Sequence, residues 1–248
     1  MTNKRSDITD HLIIVTGAGS GIGRQIALHL ASQGAIIAAC DKNVSALQEI
    51  ANERIHTFFV DFTSEESING CISEIENKLG SPKALVNCVG ILGKNGQKVV
   101  DVDVEDFDLV YSINLRGALI ITKAVIGGME SRGYGRILHL ASISGKEGNP
   151  LLVAYSSTKA GLIGLVKSVG KEYAGSGVTV NALAPALIQS PMTDSFSESQ
   201  LTYLKSKIPM GRLGTTDEVA DLVAWIVSPS CSFTTGFAFD LSGGRATY

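Results

Sequence analysis

The sequence predicts an α/β fold: a single doubly wound parallel sheet of about seven strands, with helices on both faces. Three observations carry that prediction. Short apolar runs rich in β-branched residues alternate with amphipathic stretches from end to end. Within a run the apolar residues are consecutive rather than alternating, as strands covered on both faces require. Each run is joined to the next by a helical stretch, the connection that parallel neighbours need.

In chain order, residues 11–16 form a strand closed by glycines. A helix over 22–33 places Ile22, Ile26, Ala27 and Leu30 on one stripe and stops at Gly34. Strands follow at 35–40 and 55–60, with a short helix between them. Residues 65–79 carry Ile68, Ile72, Ile75 and Leu79 at helical spacing, and Gly80, Ser81 and Pro82 end that helix. A strand over 84–89 leads into a long helix over 104–129. Strand 136–141, helix 154–174 and strand 178–183 come next. A polar, proline-punctuated stretch over 185–209 follows, within which 187–210 reads as a substrate lid. Helix 217–227 and a last strand near 237–241 complete the chain. There is no internal repeat, low-complexity tract or linker, so residues 1–248 read as one domain.

Composition narrows the function. With 44% hydrophobic and 18% charged residues among 248, the chain is globular rather than disordered. Lys and Arg number 21 against 24 Asp and Glu, a net charge of −3, and the basic residues are scattered, which excludes a nucleic-acid partner. Cys40, Cys71, Cys88 and Cys231 have no paired spacing, so neither a metal site nor a disulfide framework is expected. Reduced thiols point to a reducing compartment. The start, residues 1–10, is polar and lacks a signal-sequence core, and apolar runs such as 35–40 are too short to cross a bilayer. The expectation is a soluble cytoplasmic protein that binds a small molecule.

The first strand runs into Thr16-Gly17-Ala18-Gly19-Ser20-Gly21-Ile22-Gly23, within which a helix begins. Glycines there allow a sharp turn and close approach to a pyrophosphate, and the helix N-terminus offers free N–H groups and a positive dipole end. Gly17, Ser20, Gly21 and Ile22 are therefore candidate dinucleotide contacts. Asp41, ending the second strand, can accept hydrogen bonds from both adenosine ribose hydroxyls and would repel a 2′-phosphate. That favours NAD over NADP, although Lys42 beside it is a cation that offsets part of the repulsion. Asp61, with Phe62 next to it, can accept from the adenine amino group. Asn87 and Gly90 end the fourth strand, where the adenosine ribose passes. All of these lie at the carboxyl ends of strands, where open α/β sheets bind ligands.

Tyr155 and Lys159 stand four apart at a helix start, so both face the same way. Ser142 lies 13 residues upstream, just past a strand. The set supplies a hydroxyl acid/base, a cation to tune it and to hold a ribose, and a hydroxyl to orient a carbonyl or alcohol. Ser190, Tyr203 and Lys207 repeat the same intervals, but in the polar stretch and without a strand before the serine. The first set is the catalytic one. Asn114, a poor helix former inside the long helix, would kink it and hold a water leading from Lys159 to solvent.

These residues resemble the short-chain dehydrogenase/reductase family along essentially the whole chain. The motif over 16–23, Asp61, Asn114, Ser142, Tyr155 with Lys159, Asn181 with Pro185, Gly236 and Gly243-Gly244 all stand at family positions. The resemblance implies a Rossmann-type enzyme in which Tyr155 is the acid/base, Lys159 lowers its pKa and binds ribose, Ser142 positions substrate and Asn114 supports a proton relay. It also implies that Pro185 to Ser190 line the nicotinamide, with the Ile188 backbone meeting its carboxamide. A homotetramer built on the 104–129 and 154–174 helices and the last strand would follow. Three positions depart from the family pattern: Asn87-Cys88-Val89-Gly90 replaces Asn-Asn-Ala-Gly, Ala186 replaces a glycine, and Ser242 an aspartate.

The tail over 240–248 and the segment over 145–150 resemble members that oxidise sugar acids, including 2-keto-3-deoxy-aldonates. On that footing Glu147 and Asn149 read substrate hydroxyls, and Arg245, from this chain or a neighbouring subunit, binds a carboxylate. One alternative is a 3-oxoacyl thioester (acyl-carrier-protein) reductase, which would favour NADP and against which Asp41 argues. The other is a dinucleotide-sensing module without turnover, against which the intact Ser142, Tyr155 and Lys159 argue.

Overall fold

Residues 7–190, 193, 198–246 and 248 are described by the computed structural model. Residues 1–6 of the polar start, 191, 192 and 194–197 of the expected lid, and 247 of the tail lie outside the described residues. Seven strands form one parallel sheet: β1 (Leu12–Thr16), β2 (Ile36–Asp41), β3 (Ile55–Phe59), β4 (Ala84–Asn87), β5 (Gly135–Leu140), β6 (Val178–Pro185) and β7 (Ala238–Leu241). Their order is β3-β2-β1-β4-β5-β6-β7, so the winding reverses between β1 and β4 and opens a crevice at their carboxyl ends.

The consecutive apolar residues of each strand feed two cores. From β1, Leu12 and Ile14 face α3 (Glu65–Leu79), α5 (Gly117–Ser131) and α7 (Val153–Glu172), while Ile13 and Val15 face α1 (Gly21–Ser32) and the final helix. Each fully buried Ile or Leu contributes about 1.5–3 kcal/mol, which is why neither face tolerates the polar alternation of a one-sided sheet. That final helix, α9 (Thr216–Val227), starts in a capping box: the Thr215 hydroxyl accepts from Glu218 N–H, and the Glu218 carboxylate accepts from Thr215 N–H.

Among the described residues the chain also forms α2 (Val44–Gln48), α4 (Val104–Tyr111), α6 (Ile143–Glu147) and α8 (Glu198–Ser206). The expected long helix is continuous over Val104–Ser131, but a π-helical turn at Ser112–Arg116 separates α4 from α5. By length and composition this run could cross a bilayer. Instead Ala118, Ile121, Val125 and Met129 are buried in the core. Neither α6 nor α8 is foreseen by the sequence. The five residues of α6 are too few to show a period, and the described part of α8 is mostly polar.

Candidate active site

Two cavities meet over the crevice. The larger, about 560 Å³, is lined by Gly17, Ser20, Gly21, Ile22, Asp41, Lys42, Asp61, Phe62 and Gly90. The smaller, about 210 Å³, is lined by Ser142, Asn149, Tyr155, Lys159, Pro185, Ile188 and Arg245. Ile22, Cys88, Gly90 and Ser190 border both.

The larger cavity fits a dinucleotide by its backbone. A Cβ on Gly23 would collide with the Gly17 carbonyl oxygen, so the first turn of α1 packs against the loop as only glycine permits. Ser20, the N-cap of α1, makes no side-chain capping bond, and the first turn carries no acid. Its hydroxyl and the N-terminal dipole are left for an anion. Asp41 turns toward the same loop: Oδ2 accepts from Gly19 N–H (3.0 Å) and Oδ1 from Asn43 N–H (2.9 Å). Lys42 does not shield it, because the Lys42 ammonium pairs with Asp61 Oδ2 at 3.3 Å. Asp61 is held below its usual range, chiefly by hydrogen bonds from the Thr63 backbone and hydroxyl.

Of the 87–90 segment, Cys88, Val89 and Gly90 line the larger cavity, and Asn87 turns inward. Its side chain does not line the cleft but joins a polar chain through the core. The Thr16 hydroxyl donates to Asn87 Oδ1 (2.7 Å), and Asn87 Nδ2 meets His139 Nδ1 (3.1 Å). Thr122 Oγ1 lies 3.0 Å from His139 Nε2 and donates to the Ala118 carbonyl (2.7 Å). Thr122 must therefore accept from Nε2–H, which leaves Nδ1 to accept from Asn87, so the imidazole is neutral.

Burial, then the Lys159 charge, holds the His139 pKa down to about 3. Since that lies below the unfolded value, stability is full above about pH 6.5 and falls as pH drops toward 3. At pH 4.5 the loss is about 3 kcal/mol. His139→Gln is expected to lose less stability between pH 7 and 4.5 than the parent, by about that amount. Urea unfolding at the two pH values checks this, and equal losses would refute it.

On the catalytic side, Ser142 is the N-cap of α6 and accepts from Ser144 N–H (3.1 Å). It lines the same cavity as Tyr155. Lys159 is buried; its ammonium donates to the Leu140 carbonyl (2.6 Å) and lies 5.7 Å from the Tyr155 ring centroid. Gly90 makes room for it, since a Cβ there would come within 3.0 Å of Lys159 Nζ.

In the protein alone, burial governs the ionisation of both groups. Burial raises the Tyr155 phenol above its ordinary value, with the Ser142 hydrogen bond opposing, while burial lowers Lys159 to about 8. Burial thus disfavours the charged form of both groups in the protein alone.

Asn114 occupies the π turn, a geometry common at functional sites. Its Oδ1 accepts from Ile91 N–H (2.8 Å), and its Nδ2 donates to the Ile91 carbonyl (2.9 Å) and to Thr158 Oγ1 (3.2 Å). It thus brackets the Gly90 loop to the helix bearing Tyr155.

The two charged substrate-site candidates meet each other. Glu147 does not line the cavity but pairs with Arg245. Arg245 reaches the cavity of its own chain, because the tail folds back over α6. Leu92, Leu152, Thr193 and Leu204 also line that cavity and went unnoticed, as apolar or hydroxyl residues in loops and on α8 carry no chemical signature. Ser190 borders the cleft, but Tyr203 and Lys207 do not line it. The Lys207 ammonium sits 4.6 Å from the centre of the exposed Tyr203 ring.

A family profile described as enoyl-(acyl carrier protein) reductase matches residues 17–245. The chain is 43% identical over 237 residues, 95% of each chain, to a 2-dehydro-3-deoxy-L-rhamnonate dehydrogenase (NAD(+)) of Sphingomonas sp. strain SKA58. It is 33% identical to the 3-oxoacyl-[acyl-carrier-protein] reductase FabG of Thermotoga maritima, over 93% of this chain and 96% of the other. The solved structure of gox2181 superposes with a TM-score of 0.93 at 28% identity, over 99% of both chains.

Proposed function

Because the chain belongs to the short-chain dehydrogenase/reductase family, we propose that it is an NAD-dependent dehydrogenase oxidising a secondary alcohol of a sugar acid, such as a 2-keto-3-deoxy-aldonate. The observation that carries this reading is the meeting of two cavities: the groove with Asp41 opens directly onto Ser142, Tyr155 and Lys159, in a pocket that also holds an arginine. The 43% identical Sphingomonas enzyme, named for a sugar acid and NAD, supports the same substrate class over the thioester reductase.

NAD, when bound, supplies the hydride acceptor and a positive ring beside the site. Gly17, Ser20, Gly21 and Ile22 hold its pyrophosphate end, Asp41 its adenosine ribose, Asp61 and Phe62 its adenine, and Pro185 and Ile188 its nicotinamide end. Ser142 donates to the alcohol oxygen, and Tyr155, as phenolate, takes the hydroxyl proton. Lys159 keeps an ammonium beneath the phenol and offers a donor to the nicotinamide ribose. Oδ1 of Asn114 retains a lone pair for a water that returns the proton toward solvent.

The remaining organisation follows the same reading. The chain is one catalytic domain with a lid over 187–210. It works in the cytoplasm, consistent with the free thiols of Cys40 and Cys71 only 3.8 Å apart. It assembles as a homotetramer, for which the exposed Trp225, Phe233 and Phe237 offer apolar contact near the edge strand β7.

NAD reduction followed at its absorbance, over a panel of 2-keto-3-deoxy acids, neutral polyols and 3-hydroxyacyl thioesters, tests the activity. Turnover of an acid with NAD is expected. Turnover confined to thioesters with NADP, or dinucleotide binding with no turnover, would replace the reading.

A further inference from the structure

The guanidinium of Arg245 is built into the substrate pocket rather than resting on its rim. Its side chain is only 6% exposed, yet it lines the smaller cavity. Nε and Nη2 donate to Glu147 Oε2 (3.0 and 2.8 Å), and Nη2 also donates to Asn149 Oδ1 (3.1 Å). Those bonds spend one edge of the fork and leave Nη1 as the donor available to a ligand.

The same asparagine leads to the reacting centre. Asn149 Nδ2 donates to Ser144 Oγ (2.7 Å), and Ser144 N–H donates to Ser142 Oγ (3.1 Å). Two further contacts hold the tail in place. Lys146 pairs with Asp240 at 2.8 Å, and the Tyr248 hydroxyl donates to the Lys146 carbonyl at 2.6 Å.

We propose that Arg245 determines specificity by seating the substrate carboxylate on Nη1. Glu147 is its positioning residue and not a substrate contact. The Asn149–Ser144 link sets the register between that carboxylate and the alcohol at Ser142 and Tyr155. This inference rests on the sugar-acid reading above.

A surface arginine would bind an anion weakly, because it is hydrated and mobile. Here the fork is already desolvated and held on one edge, so a charge-assisted bond forms with little further ordering. A neutral polyol would leave the Nη1 donors unpaired and be disfavoured. Glu147 keeps the arginine from standing as a bare charge in the pocket, but its own charge repels the incoming anion. Because the anchor and the catalytic serine share one hydrogen-bonded segment, an acid one carbon longer or shorter presents the wrong carbon to Tyr155. Its cost therefore falls on kcat more than on KM.

Steady-state kinetics with NAD on a 2-keto-3-deoxy-aldonate and on its carboxamide test this. Arg245→Gln is expected to raise KM for the acid about tenfold to a hundredfold and to move the amide less than about threefold. Arg245→Lys restores part of the loss. The double variant Arg245→Gln/Glu147→Gln, which leaves no buried charge unpaired, shows the same acid-selective loss even where the single variant folds poorly.

Glu147→Gln keeps the acceptor without the charge and is expected to lower KM for the acid relative to the amide. A brace of purely structural value would raise both. Equal losses on acid and amide in the double variant, or no loss on either, would overturn the carboxylate role. Parent protein that binds NAD but oxidises neither compound would refute the sugar-acid reading and take this proposal with it.

Discussion

Tyr155→Phe is expected to lower kcat by about three to four orders of magnitude while leaving NAD affinity, measured by calorimetry, within about threefold. Tyr155 lines the smaller cavity beside Ser142, and its ring centre lies 5.7 Å from the Lys159 ammonium. Phe keeps the packing and removes the base. Tyr203→Phe is the matched control and is expected to stay within about twofold, since that ring is 60% exposed on α8. The reverse outcome would transfer the chemistry to the second serine–tyrosine–lysine set.

The pH profile of the parent enzyme adds an independent check. Oxidation needs Tyr155 ionised and Lys159 charged, with the phenol above its usual value and the lysine at about 8. The active fraction then grows about tenfold per pH unit below 8 and levels above it, where each gain in phenolate is matched by a loss of ammonium. A log plot of kcat/KM that kept its slope well past pH 8 would remove Lys159 from the ionisation.

The sheet and its edge were legible because strands buried on both faces write themselves as unbroken apolar runs. The carboxyl end of each run then carries its polar or glycine residue in plain view, as with Thr16, Asp41, Asp61 and Ser142. Glu65–Leu79 could be bounded to the residue from its apolar stripe and its glycine stop. The π turn could not, because one Asn in a helix signals irregularity without saying that the backbone widens around it.

Asn87 and Glu147 show a different limit. Both stand where a ligand contact belongs in sequence. But which way a polar side chain turns is decided by partners far away: His139 lies 52 positions from Asn87, and Arg245 lies 98 from Glu147. The ionisation of Tyr155 is hidden in the sequence for a similar reason. Spacing says that an amine lies beside a phenol, but not that both are buried.

Asp41→Asn, which keeps the side chain's size and drops its charge, is expected to shift the ratio of kcat/KM for NAD over NADP by about a thousandfold. A carboxylate at about 4 Å from a 2′-phosphate costs about 4 kcal/mol per charge pair at an effective dielectric of 20. Removing that term relieves NADP, and the weaker acceptor loses part of its hold on the ribose hydroxyls of NAD. Whether Lys42 already offsets the repulsion is answered by its position: the ammonium is drawn to Asp61, and the side chain is 72% exposed. Lys42→Ala is therefore expected to change the ratio less than about threefold, because a solvated cation contributes little at that range. Initial rates with both dinucleotides at saturating substrate measure each effect. If Lys42→Ala moved the ratio more than Asp41→Asn, the lysine, and not the carboxylate ending β2, would be the group that reads the ribose.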